Sequence, residues 1–335
     1  MQTKNVVVVG ATGAVGQEMI RCLHELEFPV GKLRLTASGR SAGKVISTAF
    51  GDITVEVLTE EVLADSDIAL FSAGSDVSKE WRERCAANNC LMIDNSSAFR
   101  YENDVPLVVP EINAETARGH RGVISNPNCT TAIAAVVLWP LHQKYGLKKV
   151  IVSTYQATSG AGAAGMQELI DQTREVLDGG EVHPQAFAHQ IAFNIIPHID
   201  KFQENLYTKE EMKVTWETHK IFGDDSIRIS CTAVRIPTLR AHSEAIVVET
   251  ERVVDPNEAR QVLSEAPGVK VVDDPENNVY PMPINASENF DVEVGRIRRN
   301  PVFGDHGLEF FVSGDQLLKG AALNAVQIAK IFVNQ

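Results

Sequence analysis

The first third of the chain alternates short apolar runs with segments of helical periodicity. Asn5–Val9 is a nearly continuous β-branched run, which is typical of a strand buried on both faces. Residues 17–27 follow with apolar side chains three and four positions apart, and this spacing predicts a helix. The same pattern predicts strands over 33–37, 67–72 and 90–94 and a helix over 77–87. Strands that alternate with helices predict an α/β domain on a doubly wound parallel sheet.

Beyond residue 130 the β runs become longer and the connections between them irregular. Strands are predicted over 148–156, 226–236, 245–250 and 309–313, and helices over 130–142 and 160–177. Long strands with irregular connections predict a second, α+β domain built on a mixed sheet. Two segments rich in Pro, Gly, Asn and Asp, 179–208 and 273–306, are interpreted as long loops or an insertion.

A length of 335 residues is long for a single core, so two domains are expected. We predict a first domain over 1–130, completed by an Ala-rich helix over 318–335, and a second domain over 131–317. A content of 44% hydrophobic and 22% charged residues places the chain among ordinary globular proteins. The formal net charge of −13 argues against a general nucleic-acid binder, although it is compatible with a local basic pocket for a small anion.

The chain shows no membrane, targeting or metal signal. No apolar run approaches the ~18 residues of a membrane-spanning helix, and residues 1–5 lead into the first strand without a signal-peptide pattern. The five cysteines are scattered and odd in number, which fits reduced thiols in a cytoplasmic protein better than a disulfide framework. No His/Cys spacing matches a zinc site, so no metal is expected.

A glycine-rich turn connects the first predicted strand to the first predicted helix. Gly10, Gly13 and Gly16 occupy its positions one, four and seven, a variant of the dinucleotide fingerprint of Rossmann domains. Glycine permits the tight turn and a close approach of the backbone to pyrophosphate, and the helix N-terminus supplies N–H groups to the phosphate. The alternative is a tight strand–helix turn without a ligand. The residues assigned to the cofactor here are Gly10, Ala11, Thr12, Gly13, Ala14, Val15 and Gly16.

The end of the second predicted strand distinguishes NADP from NAD. An acidic residue there would bind the ribose 2′-hydroxyl of NAD, whereas this chain has Arg40, with Ser38 and Ser41 close by. Guanidinium binds phosphate in a fork geometry, so these residues favour the 2′-phosphate of NADP; the alternative is a solvated turn. Three further cofactor candidates follow a later strand, at the carboxyl edge of the sheet where such ligands bind: Ser72, Ala73 and Gly74.

Cys129 lies in the run Ser125-Asn-Pro-Asn-Cys-Thr-Thr131, between a short predicted strand and the helix predicted over 130–142. The unpaired N–H groups and the positive dipole end of a helix N-terminus favour a thiolate. The same N–H groups can hold the oxyanion that forms when a thiolate attacks a carbonyl carbon. The alternative is a small, buried, inert cysteine. Together with the NADP signal, the thiol predicts aldehyde or acyl chemistry.

Six sequence motifs occur in an order that matches a known family. They are Gly10–Gly16, Ala37–Gly43, Asp94–Arg100, Ser125–Thr131, Tyr155–Gly162 and Arg235–His242. On these motifs the chain resembles the aspartate-semialdehyde dehydrogenases over essentially its whole length. The resemblance implies NADPH-dependent reductive dephosphorylation of L-aspartyl 4-phosphate to L-aspartate 4-semialdehyde through a Cys thioester, in biosynthesis of lysine, diaminopimelate, threonine, methionine and isoleucine. It also implies a homodimer formed through the second domain.

The resemblance assigns catalytic roles to three residues. Cys129 is similar to the family's nucleophile, Gln156 to the Gln that positions the acyl group, and His242 to the general acid/base. For this histidine an unperturbed pKa close to the operating pH is expected. Arg235 is implied to bind the substrate α-carboxylate as a bidentate partner. An interval of seven would place Arg235 and His242 on opposite faces of one straight strand, but Pro237 should break that strand and let both reach one pocket.

The resemblance also implies groups that bind the rest of the substrate and the nicotinamide. Glu217 is implied to meet the α-ammonium and Lys220 the phosphate, although such a pair, three apart on a helix, is otherwise an ordinary surface ion pair. Arg100 is the second phosphate candidate, and Asn95 lies beside it in the same motif. Asn324 resembles the residue near the nicotinamide carboxamide; the alternative is a polar helix residue facing solvent. The remaining cofactor candidates are Ser159 and Gly160.

Three other functions remain open. An N-acetylglutamyl-phosphate reductase has a similar fold and thiol chemistry, but an acylated amine needs no carboxylate partner such as Glu217. Glyceraldehyde-3-phosphate dehydrogenase normally prefers NAD and carries an acid where this chain has Arg40. A non-catalytic nucleotide sensor would be expected to lack Cys129, Gln156 or His242, and all three are present. The predicted partners are a small-molecule substrate and a second copy of the chain, with no nucleic acid and no membrane.

Overall fold

The computed structural model describes residues 2–333, which form two compact units. The first unit comprises the residues up to 128 and those from 320 onward, and the second comprises residues 129–319. The strands are β1 Lys4–Val9, β2 Val30–Thr36, β3 Val45–Thr48, β4 Gly51–Thr54, β5 Ile68–Phe71, β6 Leu91–Asp94, β7 Val123–Ser125, β8 Leu147–Gln156, β9 Arg228–Arg235, β10 His242–Thr250, β11 Val269–Val271, β12 Val292–Arg299 and β13 Gly307–Gly314. The α-helices are α1 Ala14–Glu25, α2 Glu60–Ala64, α3 Ser75–Ala87, α4 Pro110–Asn113, α5 Cys129–Tyr145, α6 Gly162–Leu177, α7 Lys209–Phe222, α8 Pro256–Ser264, α9 Pro283–Ala286 and α10 Leu323–Lys330. Short 3₁₀ segments lie at Ala114–Gly119, Thr158–Ala161, Pro275–Asn277 and Gly304–His306, and a π-helical turn at Leu318–Ala322.

The first unit is built on a five-stranded sheet in the order β2-β1-β5-β6-β7, with every pair of neighbours parallel. Residues Val6–Val9 of β1 are almost fully buried, as a central strand covered on both faces requires. The closing helix α10 packs on α1, β5 and β6 and therefore belongs to this unit. The predicted doubly wound parallel sheet is confirmed.

The second unit holds a six-stranded mixed sheet in the order β11-β12-β13-β10-β8-β9. The β8–β9 and β11–β12 pairs are parallel, whereas β10 is antiparallel to both β8 and β13, and β12 is antiparallel to β13. Helix α5 contacts β10 and β13, and its neighbours α7 and α8 contact β9 and β12. Along β8, Val150 and Val152 are buried while Ile151 and Tyr155 are partly exposed, as expected when helices cover one face of a sheet. The predicted mixed sheet is confirmed.

The segment 273–306 is not the loop that its composition predicts, because it contains β12. The register of β12 on β13 shifts between Gly295 and Arg298, and Arg296 between them has φ +55°. This irregularity breaks the alternation of apolar and polar residues from which a strand is predicted. Segment 179–208 is irregular as predicted, and α7 begins directly after it.

The closing helix also differs from the prediction over 318–335. It begins as the π-helical turn, continues as α10 and ends its α-helical part at Lys330, and residues 334 and 335 lie outside the described part of the chain. Within residues 2–333, no helix has the length and apolar character to cross a membrane. The same residues include no group of three His, Cys, Asp or Glu side chains that could hold a metal ion.

Candidate active site

The glycine turn of the first unit leads from β1 into α1 in a conformation that side chains would block. Gly10 has φ +90°, and a Cβ atom there would lie 2.3 Å from the carbonyl oxygen of Ser72. A Cβ atom on Gly16 would lie 2.3 Å from the carbonyl oxygen of Gly10, so both positions require glycine. Gly13 caps α1 without a side-chain hydrogen bond, and the first turn of α1 has no acidic residue. The start of α1 therefore offers N–H groups and a positive dipole end to an anion.

The other cofactor candidates of the first unit follow neighbouring strands. Ser38 and Arg40 are exposed in the loop after β2, where the Ser41 N–H donates to the Ser38 carbonyl oxygen at 2.8 Å and closes a turn. Ser72 and Gly74 follow β5, and Gly74, at φ +89°, precedes α3. Because β2, β1 and β5 are adjacent and parallel, all three loops lie at the carboxyl edge of one sheet.

Three predicted site residues converge on Asn126 in the first unit. The Arg100 guanidinium donates from Nε to the carbonyl oxygen of Asn126 at 2.8 Å and from Nη2 to that of Asn95 at 3.0 Å. The Asn126 amide donates to Oδ1 of Asn95 at 2.6 Å, and its Oδ1 accepts from Nδ2 of Asn324 at 2.6 Å. Asn324 is fully buried and does not face solvent. This network fixes the backbone three residues before Cys129.

Cys129 is the first residue of α5, so the predicted position of the thiol at a helix start is confirmed. It is partly exposed, whereas the other four cysteines are buried. Burial raises the pKa of Cys85 to about 12 and that of Cys231 well above its ordinary value, and such thiols are inert at neutral pH. Accessibility and the helix N-terminus together make Cys129 the cysteine suited to nucleophilic chemistry.

Three predicted residues of the second unit form one row across its sheet, which we call the polar row. Gln156 at the end of β8 pairs with Arg235 at the end of β9, and the antiparallel register of β8 and β10 places His242 on the other side of Gln156. All three side chains are buried. Pro237 lies between β9 and β10, so the two strands are separate, as predicted. The odd interval of seven residues therefore does not place Arg235 and His242 on opposite faces of one strand.

The backbone of Ala157 holds two members of the polar row. Its N–H donates to Nδ1 of His242 at 3.0 Å, and its carbonyl oxygen accepts from Nη1 of Arg235 at 2.6 Å. Burial lowers the pKa of Arg235, and the charges of Glu210 and Cys129 oppose that shift. A negative charge on the Cys129 sulfur therefore stabilises the charged form of the Arg235 guanidinium.

His242 is a neutral hydrogen-bond donor. Since Nδ1 accepts a hydrogen bond, the neutral ring carries its proton on Nε2, and Nε2 has no hydrogen-bond partner within residues 2–333. Burial, followed by the positive charge of Arg235, lowers the pKa of His242 to about 3. The expected pKa close to the operating pH is therefore wrong, because the ring is fully desolvated.

Gly160 keeps open the space between Arg235 and His242. A Cβ atom on Gly160 would lie 2.7 Å from Nη1 of Arg235 and 3.3 Å from Nε2 of His242. Ser159, which precedes it, is buried and accepts a short hydrogen bond from Nε2 of Gln316. Oε1 of Gln316 accepts from the backbone N–H of the residue before His242 at 2.8 Å. Ser159 and Gly160, which the sequence analysis assigns to the cofactor, therefore lie next to the polar row.

Glu210, which the sequence interpretation missed, joins the polar row from the first turn of α7. Its Oε1 accepts from Nε2 of Gln156 at 3.2 Å, and its Oε2 accepts from Nζ of Lys213 at 2.9 Å. Lys213 also donates to Oδ2 of Asp200 at 2.8 Å. Burial lowers the pKa of Lys213, but the two carboxylates outweigh burial and the net shift is upward. A carboxylate beside Gln156 and a fully charged lysine are therefore part of the site.

Glu217 and Lys220, the pair that the resemblance implied, lie seven residues further along α7. Seven residues are about two turns, or ~10.5 Å along a helix axis. Glu217 is fully buried there. Glu210 and Lys213 have the same three-residue spacing, so spacing could not distinguish the two pairs; the hydrogen bond to Gln156 belongs to Glu210.

Glu244 lies two residues after His242 on β10 and faces the same side of the sheet. Its side chain is fully buried, and within residues 2–333 neither carboxyl oxygen has a hydrogen-bond partner. Burial raises the pKa of Glu244 well above its ordinary value, because an ionised carboxylate would be desolvated without compensation. Folding therefore favours the protonated form of Glu244.

We expect Glu244→Gln to become increasingly stabilising, relative to the wild type, as pH rises. The unfolded chain ionises Glu244 near its ordinary pKa while the folded state retains the proton, so unfolding releases a proton. Wild-type stability should then fall by up to about 1.4 kcal/mol per pH unit between the unfolded and folded pKa values. Urea-unfolding midpoints at about pH 5.5 and about pH 8 measure the effect.

The matched control is Glu249→Gln on the same strand. Hydrogen bonding to Lys149 is the main cause that lowers the pKa of Glu249, so this carboxylate is ionised in both states over that range. The control should change stability equally at both pH values. Wild-type and Glu244→Gln midpoints that shift in parallel with pH would contradict a protonated Glu244.

The chain is similar to known proteins over its whole length, in sequence and in fold. Family models described as "Semialdehyde dehydrogenase, NAD binding domain" and "Semialdehyde dehydrogenase, dimerisation domain" match residues 5–120 and 138–319. Aspartate-semialdehyde dehydrogenase of Aquifex aeolicus (strain VF5) is 51% identical, over 98% of each chain. Aspartate semialdehyde dehydrogenase II of Vibrio cholerae, solved as a complex with ASA, has a TM-score of 0.97 and 42% identity, covering 100% of this chain and 99% of that one. The Candida albicans enzyme, solved with NADP, has a TM-score of 0.75 and 25% identity over 98% of each chain.

Proposed function

This chain belongs to the aspartate-semialdehyde dehydrogenase family, and we propose that it reduces L-aspartyl 4-phosphate to L-aspartate 4-semialdehyde with NADPH and releases phosphate. The observation that carries the proposal is the polar row with Glu210 beside it. A guanidinium, an amide, a neutral imidazole and a carboxylate are buried together in the unit that begins with Cys129. These are the groups that an amino acid activated at its side-chain carboxyl requires. The product would serve lysine, diaminopimelate, threonine, methionine and isoleucine synthesis.

Cys129 acts as the nucleophile in this proposal. Its thiolate attacks the acyl carbon, the C–S bond forms as the bond to the phosphate oxygen breaks, and the products are a thioester and free phosphate. NADPH, when bound, would supply a hydride to the thioester carbon; cleavage of the C–S bond then gives the aldehyde and returns Cys129 as the thiolate. Gln156, held by Glu210, orients the acyl oxygen. The resting thiol lies at the start of α5, where the helix dipole favours its ionisation.

His242 stabilises the oxyanion that develops on the acyl oxygen. Its Nε2–H is a donor with no competing partner in the described structure, and its low pKa keeps the ring neutral. Loss of the Nε2 proton would leave an imidazolate, so the ring acts by hydrogen bonding to the oxyanion and keeps its proton. This replaces the general acid/base role that the resemblance implies with an electrostatic one.

Arg235 and Glu210 recognise the amino-acid end of the substrate. Arg235 uses Nη1 for the carbonyl oxygen of Ala157, which leaves its Nε–Nη2 edge for a bidentate bond to the α-carboxylate. Glu210 takes the α-ammonium, the role first given to Glu217, because Glu210 contacts the polar row. Lys213 takes the phosphate in place of Lys220, and it carries a full positive charge. Arg100 and Asn95 remain proposed as further phosphate-binding groups.

A steady-state assay with two substrates tests the proposed function. Purified protein should reduce NADP when it is given L-aspartate 4-semialdehyde and phosphate, the reverse of the proposed direction. It should not do so with N-acetylglutamate 5-semialdehyde, because an acylated amine cannot pair with the carboxylate of Glu210. Activity with the acetylated substrate alone would replace the proposed function with that of the N-acetylglutamyl-phosphate reductases.

We propose NADP as the cofactor on account of the loop after β2, and Arg40→Ala should therefore raise the Kd for NADPH. Loss of a charge-assisted phosphate contact costs about 1.5–3 kcal/mol, or roughly 10- to 100-fold in Kd. The Kd for NADH should change less than about twofold, since NADH has no 2′-phosphate. Fluorescence titration of both nucleotides measures this. Arg21→Ala, which removes a partly exposed guanidinium paired with Glu18 and Glu25 on α1, is the control. Equal losses for both nucleotides would contradict the assignment of Arg40.

We also propose that the chain forms a homodimer through its second unit. The family model that covers most of this unit is described as a dimerisation domain. Ile151 and Tyr155 are exposed on the face of β8 that the helices leave uncovered, and a second copy of the chain would cover them.

A further inference from the structure

The segment 181–196, which we call the Phe187 loop, has no part in the proposed function, yet it contacts Arg235 twice. The Arg235 N–H donates to the carbonyl oxygen of Ile196 at 2.8 Å, and the Ile196 N–H donates to the carbonyl oxygen of Arg235 at 2.9 Å. The ring centroid of Phe187 lies 5.9 Å from Cζ of Arg235. The loop therefore holds both the backbone and the guanidinium of one member of the polar row.

Two side chains of α6 anchor the loop on either side of Phe187. Glu168 accepts a hydrogen bond from the backbone N–H of Gln185 at 3.1 Å and a shorter one from the N–H that follows. Oε1 of Gln172 accepts from the backbone N–H of Ile191 at 2.8 Å. Gln172 in turn donates to Glu168 at 2.9 Å, so the two anchors are joined. Although it lacks regular structure, the loop has its backbone tied down before and after Phe187.

The ring of Phe187 has a defined place against α6. It packs against a small apolar cluster that includes Leu169 and Ile196. Its Cζ would lie 3.0 Å from a Cβ atom on Gly165, so the absence of a side chain on that helical residue makes room for the ring. The aromatic group is thus fixed by α6 and not by Arg235, and it can impose a position on the guanidinium.

An aromatic ring can hold a guanidinium without occupying its N–H donors. The attraction is between the cation and the π face, whereas a carboxylate or carbonyl partner would take hydrogen bonds. Within residues 2–333, the one acceptor bonded to the Arg235 guanidinium is the carbonyl oxygen of Ala157, at Nη1. The Nε–Nη2 edge, two parallel donors suited to a carboxylate, is thereby left available.

We propose that Phe187 is a positioning residue for recognition of the substrate α-carboxylate, because it holds Arg235 with its Nε–Nη2 edge available to that group. The proposal rests on the proposed function, in which Arg235 binds the α-carboxylate. It gives the Phe187 loop a specific task in the site, namely to preorganise a cation whose one hydrogen-bonded acceptor in the described residues is the carbonyl oxygen of Ala157.

Steady-state kinetics of Phe187→Leu test this proposal. The KM for L-aspartate 4-semialdehyde should rise about tenfold, which corresponds to the loss of a desolvated cation–π contact. The kcat should stay within about twofold, since the carboxylate is bound equally in the ground and transition states. The KM values for NADP and phosphate should not change, since neither group is bound by Arg235 in the proposed site. Phe193→Leu, at an exposed position of the same loop, is the matched control.

The outcomes are distinguishable. A loss of kcat, or a rise in all three KM values, would show that Phe187 only supports the fold, and an unchanged KM for the semialdehyde would show that the ring is irrelevant; either result overturns the proposal. If the leucine variant fails to fold, Phe187→Met supplies an unbranched, flexible apolar side chain without a π face and should show the same selective rise. A wild-type protein inactive with L-aspartate 4-semialdehyde would overturn the proposed function first, and this proposal with it.

Discussion

Cys129→Ala should lower phosphate-dependent reduction of NADP by L-aspartate 4-semialdehyde at least about a thousandfold, because it removes the atom that forms the acyl bond. The loss should appear in kcat, and the Kd for NADPH should stay within about twofold of the wild type. The hydrogen bonds that position Gln156, Arg235 and His242 run to Glu210 and to the backbone of Ala157, so the polar row should keep its geometry in this variant. A kcat within about tenfold of the wild type would exclude the thioester route.

Alkylation of the native protein supplies a second measure of the same expectation. Cys129 is the partly exposed thiol, so iodoacetamide should modify it first, and the activity lost should be proportional to its modification. The control variant is Cys231→Ala, in which a buried thiol with a raised pKa is removed. That variant should retain rapid alkylation of a single site and most of its kcat. Activity that survives complete modification of Cys129 would contradict the nucleophile assignment.

His242→Ala should lower kcat about 10²- to 10³-fold, the usual effect of removing one oxyanion donor. His242→Asn should lose less, since its amide can still donate a hydrogen bond. The ring is neutral at every pH well above about 3, the value to which burial and Arg235 lower its pKa. The kcat/KM profile of the wild type should therefore show no limb near pH 6.5, the ordinary pKa of histidine.

The sign of this pH dependence follows from the lowered pKa. A histidine with an ordinary pKa would become an imidazolium as pH falls through about 6.5, and activity would change there. His242 instead stays neutral until the pH approaches about 3. His142→Asn is the matched control, because it removes a partly buried histidine whose pKa is also lowered chiefly by burial and which lies at the other end of α5 from Cys129. A limb near pH 6.5 that is present in the wild type and absent in His242→Asn would show that the imidazole titrates there and would contradict the electrostatic role.

Local patterns predict the parallel sheet of the first unit and its glycine turn, but not the β3–β4 pair or the short helices α2 and α4. The β-branched run, the glycine turn and the helix after it are neighbours in sequence, and the physical reasons for each, burial on both faces and close backbone approach, act within a few residues. Cys129 at the start of α5 was predictable for the same reason, since the strand and helix on its two sides are both local. The closing helix was predicted, but its π-helical turn was not, because a single extra residue in a turn has no periodic signature.

The polar row required information that no short window contains. Whether Arg235 and His242 share a face depends on where β9 ends and β10 begins, and Pro237 was the one local signal. The choice between two Glu-x-x-Lys pairs on α7 depends on which turn packs against Gln156, which is a matter of register between distant elements. The pKa of His242 was wrongly expected to be ordinary because desolvation arises only from packing.

The two hydrogen bonds made by the backbone of Ala157 affect how the sequence of this site can vary in evolution. Both are made by main-chain atoms, so no exchange of the Ala157 side chain deletes the acceptor of Arg235, and only proline would delete the donor to His242. A saturation mutagenesis scan should therefore report position 157 as a simple size limit, since its methyl group is fully buried. The orientation of the imidazole and the guanidinium thus depends on the backbone conformation after β8. A comparison of side-chain identities between homologues would not detect this dependence.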